Sequence, residues 1–187
     1  MDERNKRLAG VLVASVLLGA GLGYGLGWLF PPRQSTTGMV VQSLSQVTSS
    51  QATKLDDEVT STLVPGMSID AHTVGNEYLV VEFSAMGILY LDSTFSGVLR
   101  FNVSLNLANV SRCNVQVYRF SSSMIGHIDE SPFSLHMRWI SPVLPGGTHA
   151  INVTWASFFN QPGLNSLTLS SSGVNMTRTL HVHVIRV

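Results

Sequence analysis

Cysteine is almost absent. Cys113 stands alone, which excludes a disulfide within the chain and any zinc site built on paired cysteines. It opens the alternating stretch Cys113-Asn114-Val115-Gln116-Val117-Tyr118, where a free thiol behaves as a small apolar strand residue. Charge is scarce as well: 12% of residues are charged, about half the usual fraction. The 11 Lys and Arg balance the 11 Asp and Glu, for a formal net charge of zero. A nucleic-acid binder needs a basic patch, and no cluster stands out beyond residues 4–7, so no nucleic-acid partner is expected. Neither a G-x-S-x-G elbow, a P-loop nor a dinucleotide glycine pattern occurs. The chain is therefore expected not to be an enzyme and to need no cofactor.

Against these absences stands one long apolar run. Residues 8–30, LAGVLVASVLLGAGLGYGLGWLF, contain no charge. As a helix rising about 1.5 Å per residue they reach roughly 35 Å, enough for a hydrocarbon core of about 30 Å. Tyr24 and Trp28 suit the membrane–water boundary, and Pro31-Pro32 stops the helix. The run is longer than a secretory h-region and lacks a small-residue cleavage site, so it reads as an uncleaved signal anchor in membrane lipid. Arg4, Lys6 and Arg7 precede it and only Arg33 follows closely, which leaves residues 1–7 in the cytoplasm and the C-terminal part outside. Ser15, Gly19, Gly23 and Gly27 share one face, a small-xxx-small seam for helix packing.

Residues 31–64 are rich in Ser, Thr and Gln, with Val40, Leu44, Val47, Leu55, Val59 and Leu63 at roughly helical spacing. They read as a short, partly helical stalk or a flexible spacer. Asp56-Asp57-Glu58 would be a solvated face, since adjacent carboxylates point apart on a helix. From Pro65 to the end the texture is short alternating runs broken by Gly, Pro, Ser and Asn. Strands are expected near 67–73, 77–84, 87–92, 97–107, 113–120, 134–141, 149–156, 165–170 and 178–187. Phe101, Val103, Leu105 and Leu107 share one face, as do Ile151, Val153 and Trp155, and Leu135, Met137 and Trp139. The expected fold is all-β, a jelly-roll β-sandwich over 65–187, preceded by a single transmembrane helix and a stalk. Asn102, Asn109, Asn152 and Asn175 each begin an Asn-x-Ser/Thr sequon, and Asn102 and Asn152 fall on outward faces. An N-glycosylated exterior follows where the host glycosylates.

Two stretches carry a family resemblance. Leu63-Val64-Pro65-Gly66-Met67-Ser68-Ile69, followed by Tyr78-Leu79-Val80-Val81-Glu82-Phe83-Ser84-Ala85, resembles the opening of the jelly-roll superfamily of tumour necrosis factor and the complement globular heads. Pro145-Gly146-Gly147-Thr148-His149, running on to Trp155, and Arg178-Thr179-Leu180-His181-Val182 are similar to strands of its microbial surface versions. The resemblance implies a ten-strand sandwich, trimeric assembly, a structural His149 and a role in adhesion or ligand recognition. The final strand fits such a contact, with Leu180, Val182 and Val184 on one side and Ile185 and Val187 on the other.

His181 and His183 form an H-x-H pair on one strand face. Copper or zinc would need a third ligand from His72, His127, His136 or His149; otherwise the two are ordinary strand histidines. Asp129-Glu130 reads as a solvated turn pair rather than a calcium site. The first functional expectation is a membrane-anchored extracellular protein for surface recognition, adhesion or assembly, a homotrimer meeting a carbohydrate or protein ligand. The alternatives are an accessory subunit of a larger membrane complex or filament, and a copper- or zinc-binding extracytoplasmic domain using His181 and His183.

Overall fold

The structure is a computed structural model that describes residues 38–121, 129–158, 163–170 and 176–187. The apolar run 8–30 with Ser15, Gly19, Gly23 and Gly27 lies outside the described residues, as do His127 and Asn175. Among the described residues no helix is long and apolar enough to cross a membrane.

All regular structure described is strand: β1 (Met39–Thr48), β2 (Ala52–Leu55), β3 (Thr62–Thr73), β4 (Glu77–Leu91), β5 (Gly97–Leu107), β6 (Val110–Ser121), β7 (Asp129–Ile140), β8 (Gly147–Ser157), β9 (Ser166–Leu169) and β10 (Arg178–Arg186). They form two antiparallel sheets, a β-sandwich. The first runs β1-β10-β4-β9-β2 with β7 also on β4; the second runs β3-β8-β5-β6. β4 organises the first sheet. Its first half pairs with β10 and its second half with β9, while β7 follows the opposite edge.

Period-two alternation decides which side chains meet between the sheets. Leu79, Val81, Phe83, Met137, Leu180, Val182 and Val184 face Met67, Phe101, Val103, Leu105, Ile151, Val153 and Trp155, all buried. Each large side chain so buried stabilises the fold by about 1.5–3 kcal/mol. Trp139 and Cys113 are only partly buried and pack against the margin of this core.

The expected stalk is corrected over much of its length. Residues 39–48 and 52–55 are strands of the first sheet, with no helical stalk in this part. Gln42, Leu44, Gln46 and Thr48 pair with Val184, Val182, Leu180 and Arg178, so they share the inward side, and Leu44 packs on the core. The helical spacing of Val40, Leu44 and Val47 is overridden because β10 offers an open edge, and backbone pairing outweighs a weak apolar period. Asp56 is fully buried, against its expected place on a solvated face. The expected strands 77–84 and 87–92 are one strand, because β7 pairs with it without a break through Ala85, Met86 and Gly87, where Gly87 is a close-approach position. A Cβ there would lie 2.5 Å from the Thr168 carbonyl oxygen and 2.7 Å from the Phe133 ring. Asp129 and Glu130 belong to β7, opposite Leu91 and Tyr90, not to a loop. β10 is interior to its sheet, as expected of the last strand, yet only one of its faces is buried, and Val187 is exposed.

The sandwich has two distinct ends. At one end Gly38 lies beside Ile185, Val187 N–H donates to the Asn76 carbonyl (3.2 Å), and Arg186 pairs with buried Glu77 (2.8 Å). At the other end the β2–β3, β4–β5 and β8–β9 connections converge on Asn165. Its amide donates to Asp56 Oδ2 (2.5 Å), its Oδ1 accepts from Asp92 N–H (2.8 Å), and its carbonyl accepts from Asp56 N–H (3.1 Å).

Candidate functional site

The outward faces of the two sheets differ in chemistry, and the second sheet's face turns from amide-rich to aromatic toward the Asn165 end. On the second sheet, alternation turns Asn102, Ser104 and Asn106 of β5 and Asn152 and Thr154 of β8 away from the core. Asn106 Nδ2 donates to Asn152 Oδ1 (2.9 Å) and Thr154 Oγ1 (3.0 Å). Asn152 Nδ2 reaches Asn109 Oδ1 (3.4 Å), and Asn102 Nδ2 donates to Ser104 Oγ (3.0 Å). Three of the four sequon asparagines are thus gathered on one amide-rich face. Asn109 is the exposed one, in a two-residue turn between β5 and β6 where φ is 49° at Ala108 and 63° at Asn109. Asn102 and Asn152 are half-buried, outward as the alternation predicts.

On the first sheet, His181 and His183 stand side by side with rings nearly parallel (6°) and centroids 6.5 Å apart. A zinc–nitrogen bond of about 2.0–2.1 Å allows two ligating nitrogens at most about 4.2 Å apart. Parallel rings at the observed spacing exceed that span, so this arrangement does not fit a single ion. Of the proposed third ligands, His72 and His149 lie on the second sheet, and His136 pairs with Ser84 rather than with Glu82, the neighbour of His181. Among the described residues no group of three His, Cys, Asp or Glu is placed to hold a metal. Glu82 is held by Arg138 (3.1 Å), and His183 Nδ1 is enclosed without a hydrogen-bond partner. His149 instead fixes the turn before β8: its Nε2 lies 2.9 Å from Thr73 Oγ1 and 3.1 Å from the Pro145 carbonyl. Around the histidines the face is mixed, with Ser43 and Ser45 of β1 on one side, the Glu82–Arg138 pair on the other, and apolar residues beyond them. Val47 and Ile140 are exposed, Tyr78 and Ile185 half-exposed, and Val80 only 7% exposed between Ile140 and His183.

At the Asn165 end, aromatic side chains point into solvent. Tyr118 and Phe120 are 68% and 67% exposed, opposite Arg100 and Val98 in the β5–β6 pairing. The Arg100 guanidinium lies 5.7 Å above the exposed Phe158 ring. The Asn165 clamp ties together the loops at this end. Buried Lys54 adds a second brace, donating to the Thr60 carbonyl (3.0 Å) and Thr62 Oγ1 (3.0 Å) and pairing with Glu58 (3.4 Å). Asp92, in the β4–β5 connection, keeps its pKa below the usual value because Thr94 O–H and N–H both donate to it. Sequence reasoning missed Asn165, Lys54 and Asp56 as organisers, since each sits in a polar stretch whose burial depends on strands distant in the chain.

No protein-family model and no curated protein sequence matches the chain. Solved structures give low similarity. Infectious bursal virus derived T=1 particles match at TM-score 0.33 and 12% identity, over 82% of this chain and 40% of that one. Dimeric latent PorU from Porphyromonas gingivalis matches at TM-score 0.35 and 10% identity, over 82% of this chain and 14% of that one. The chain therefore spans well under half the length of either structure.

Proposed function

We propose that this is a membrane-anchored, non-enzymatic surface protein whose jelly-roll sandwich serves recognition and assembly outside the cytoplasm. The interleaved order β1-β10-β4 over β3-β8-β5, with β7 and β6 outermost, supports the jelly-roll form. The observation that carries the reading is polarity between the ends of the sandwich. The chain enters at Gly38, beside the C-terminus, whereas the exposed aromatic and arginine cluster lies where β5 begins and β6 ends. A domain tethered through residues 8–30 is therefore attached at one end and presents Tyr118, Phe120 and Phe158 at the other. Aromatic side chains near an arginine are the usual energetic anchors of protein contacts. The amide-rich face of the second sheet is the side for glycans, and the apolar patch of Tyr78, Val80, Ile140 and Ile185, toward the Gly38 end of the first sheet, is the side for self-assembly into a trimer.

Protease added to sealed cells tests the topology. Loss of epitopes placed in 38–187, with residues 1–30 protected, is the expected result; complete protection until the membrane is broken overturns it. The mass of detergent-extracted protein tests the assembly. Three copies are expected, a single copy removes the trimer, and co-purifying unrelated membrane subunits favour the accessory-subunit alternative.

A further inference from the structure

At the β2–β9 half of the first sheet, the outward face sinks into an open groove of about 200 Å³ lined by Gln51, Ile88, Tyr90, Glu130, Ser166 and Thr168. Its construction follows from the register. Tyr90 is flanked by Ser166 of β9 and Glu130 of β7, and Ile88 by Thr168 of β9. One wall is fixed by a chain of polar contacts: Gln51 Nε2 donates to Thr53 Oγ1 (3.4 Å), which lies 3.1 Å from Thr168 Oγ1. The lining therefore combines an aromatic ring and an aliphatic side chain with a carboxylate, an amide and two hydroxyls.

Size and charge narrow the occupant. The groove, about 200 Å³, is smaller than the roughly 300 Å³ at which drug-sized sites begin. It therefore seats a unit on the scale of one six-membered ring and leaves the rest of a longer ligand in solvent. No lysine or arginine lines it, so a phosphate, sulfate or acidic sugar would meet the Glu130 carboxylate without a counter-charge. A metal ion would find one carboxylate and no partner acid or imidazole in the lining. A purely apolar ring would strip water from four polar side chains without replacing their hydrogen bonds.

The geometry points to a subsite for one neutral pyranose ring of a glycan, and this rests on the reading of the sandwich as a recognition module. The C–H face of the sugar lies on Tyr90 and Ile88, as aromatic surfaces with polar neighbours favour. Sugar hydroxyls donate to the Glu130 carboxyl oxygens and exchange hydrogen bonds with Gln51, Ser166 and Thr168, which both donate and accept.

The test uses the full chain in a zwitterionic detergent without a sugar headgroup. Methyl glycosides of glucose, galactose, mannose and N-acetylglucosamine are titrated by saturation-transfer NMR, with methyl glucosaminide and methyl glucuronide as cationic and anionic controls. At least one neutral glycoside should bind saturably, and Tyr90→Ala and Glu130→Gln should each weaken it about fivefold or more. Should Tyr90→Ala fail to fold, judged by tryptophan fluorescence, Glu130→Gln and Thr168→Val decide the matter. Absence of binding by every neutral glycoside, binding undiminished in the folded variants, or binding by the cationic control alone would each overturn the inference. Protease accessibility is measured on the same protein. A surface-held domain that binds no glycoside removes this subsite and leaves the surface reading standing; a sheltered domain that binds one does the reverse.

Discussion

Replacing Arg178 by methionine keeps an unbranched side chain and much of its volume, shortens it by two atoms, and removes its charge and all five of its donors. Arg178 is fully buried at the start of β10, and no carboxylate bonds to it among its hydrogen-bond partners. Its Nε donates to the Pro65 carbonyl (3.1 Å), Nη1 to the carbonyls of Ser50 (2.6 Å) and Leu169 (3.2 Å), and Nη2 to Pro65 again (2.7 Å) and to Ser50 Oγ (3.4 Å). One guanidinium thus ties β3, the β1–β2 link and the end of β9 to β10. Burial also pushes its pKa below the ordinary value, so the fold bears a desolvation cost at this position. Three carbonyls left without this donor would cost about 1–3 kcal/mol each, roughly 3–9 in all, and relief of the desolvated charge offsets part of that.

The expected net loss for Arg178→Met is about 2–5 kcal/mol, a large part of the roughly 5–15 kcal/mol that holds a domain together. Chemical denaturation followed by tryptophan fluorescence reads it, because Trp155 is in the core. Lysine separates the two effects, since it keeps the charge but offers three donors without the planar fork. If carbonyl satisfaction governs, Arg178→Lys is the milder change; if the charge itself dominates, methionine is milder. A methionine variant as stable as the original would refute the reasoning outright.

Other expectations follow from single contacts. Gly87→Ala should destabilise by about 1–3 kcal/mol, because its Cβ would meet the Thr168 backbone oxygen, which cannot swing aside; an unchanged denaturation midpoint would show that β9 does not approach there. Ala108→Gly should stabilise by about 1 kcal/mol, since Ala108 holds a positive φ in a tight hairpin; a lower melting temperature would contradict the turn. Val74 N–H and then the Arg186 guanidinium hold the Glu77 pKa below its ordinary 4.5. The unfolded chain therefore takes up the proton first, and the stabilisation is present above that value and lost as pH falls through the lowered one. Thermal unfolding of Glu77→Gln across acid pH should show a shallower decline than the parent, and parallel declines would exclude this linkage.

Much of the sandwich was legible before any fold was known, because a strand with one buried face writes its orientation into alternate residues. Phe101, Val103, Leu105, Ile151, Val153 and Trp155 carry that record, and all are buried on the side their spacing assigns. The outward placement of Asn102 and Asn152 follows from the same rule. Polar segments leave no such record. Residues 39–55 have too few apolar positions to declare a strand, and only the open edges of β10 and β9 decide that they pair. The break expected at residues 85–86 vanishes for the same reason: the pairing of β7 with β4 runs through Ala85, Met86 and Gly87, which no local pattern records. Asp56 reads as a surface residue, and nothing in the sequence marks Arg178 or Asn165 for burial, because nothing local distinguishes a polar group that solvent covers from one that distant carbonyls cover. The sequence by itself determined the all-β class, the faces of the central strands and the uncharged run at 8–30. Tertiary structure alone decided which edges are paired and which polar groups go inside, since both depend on partners far along the chain.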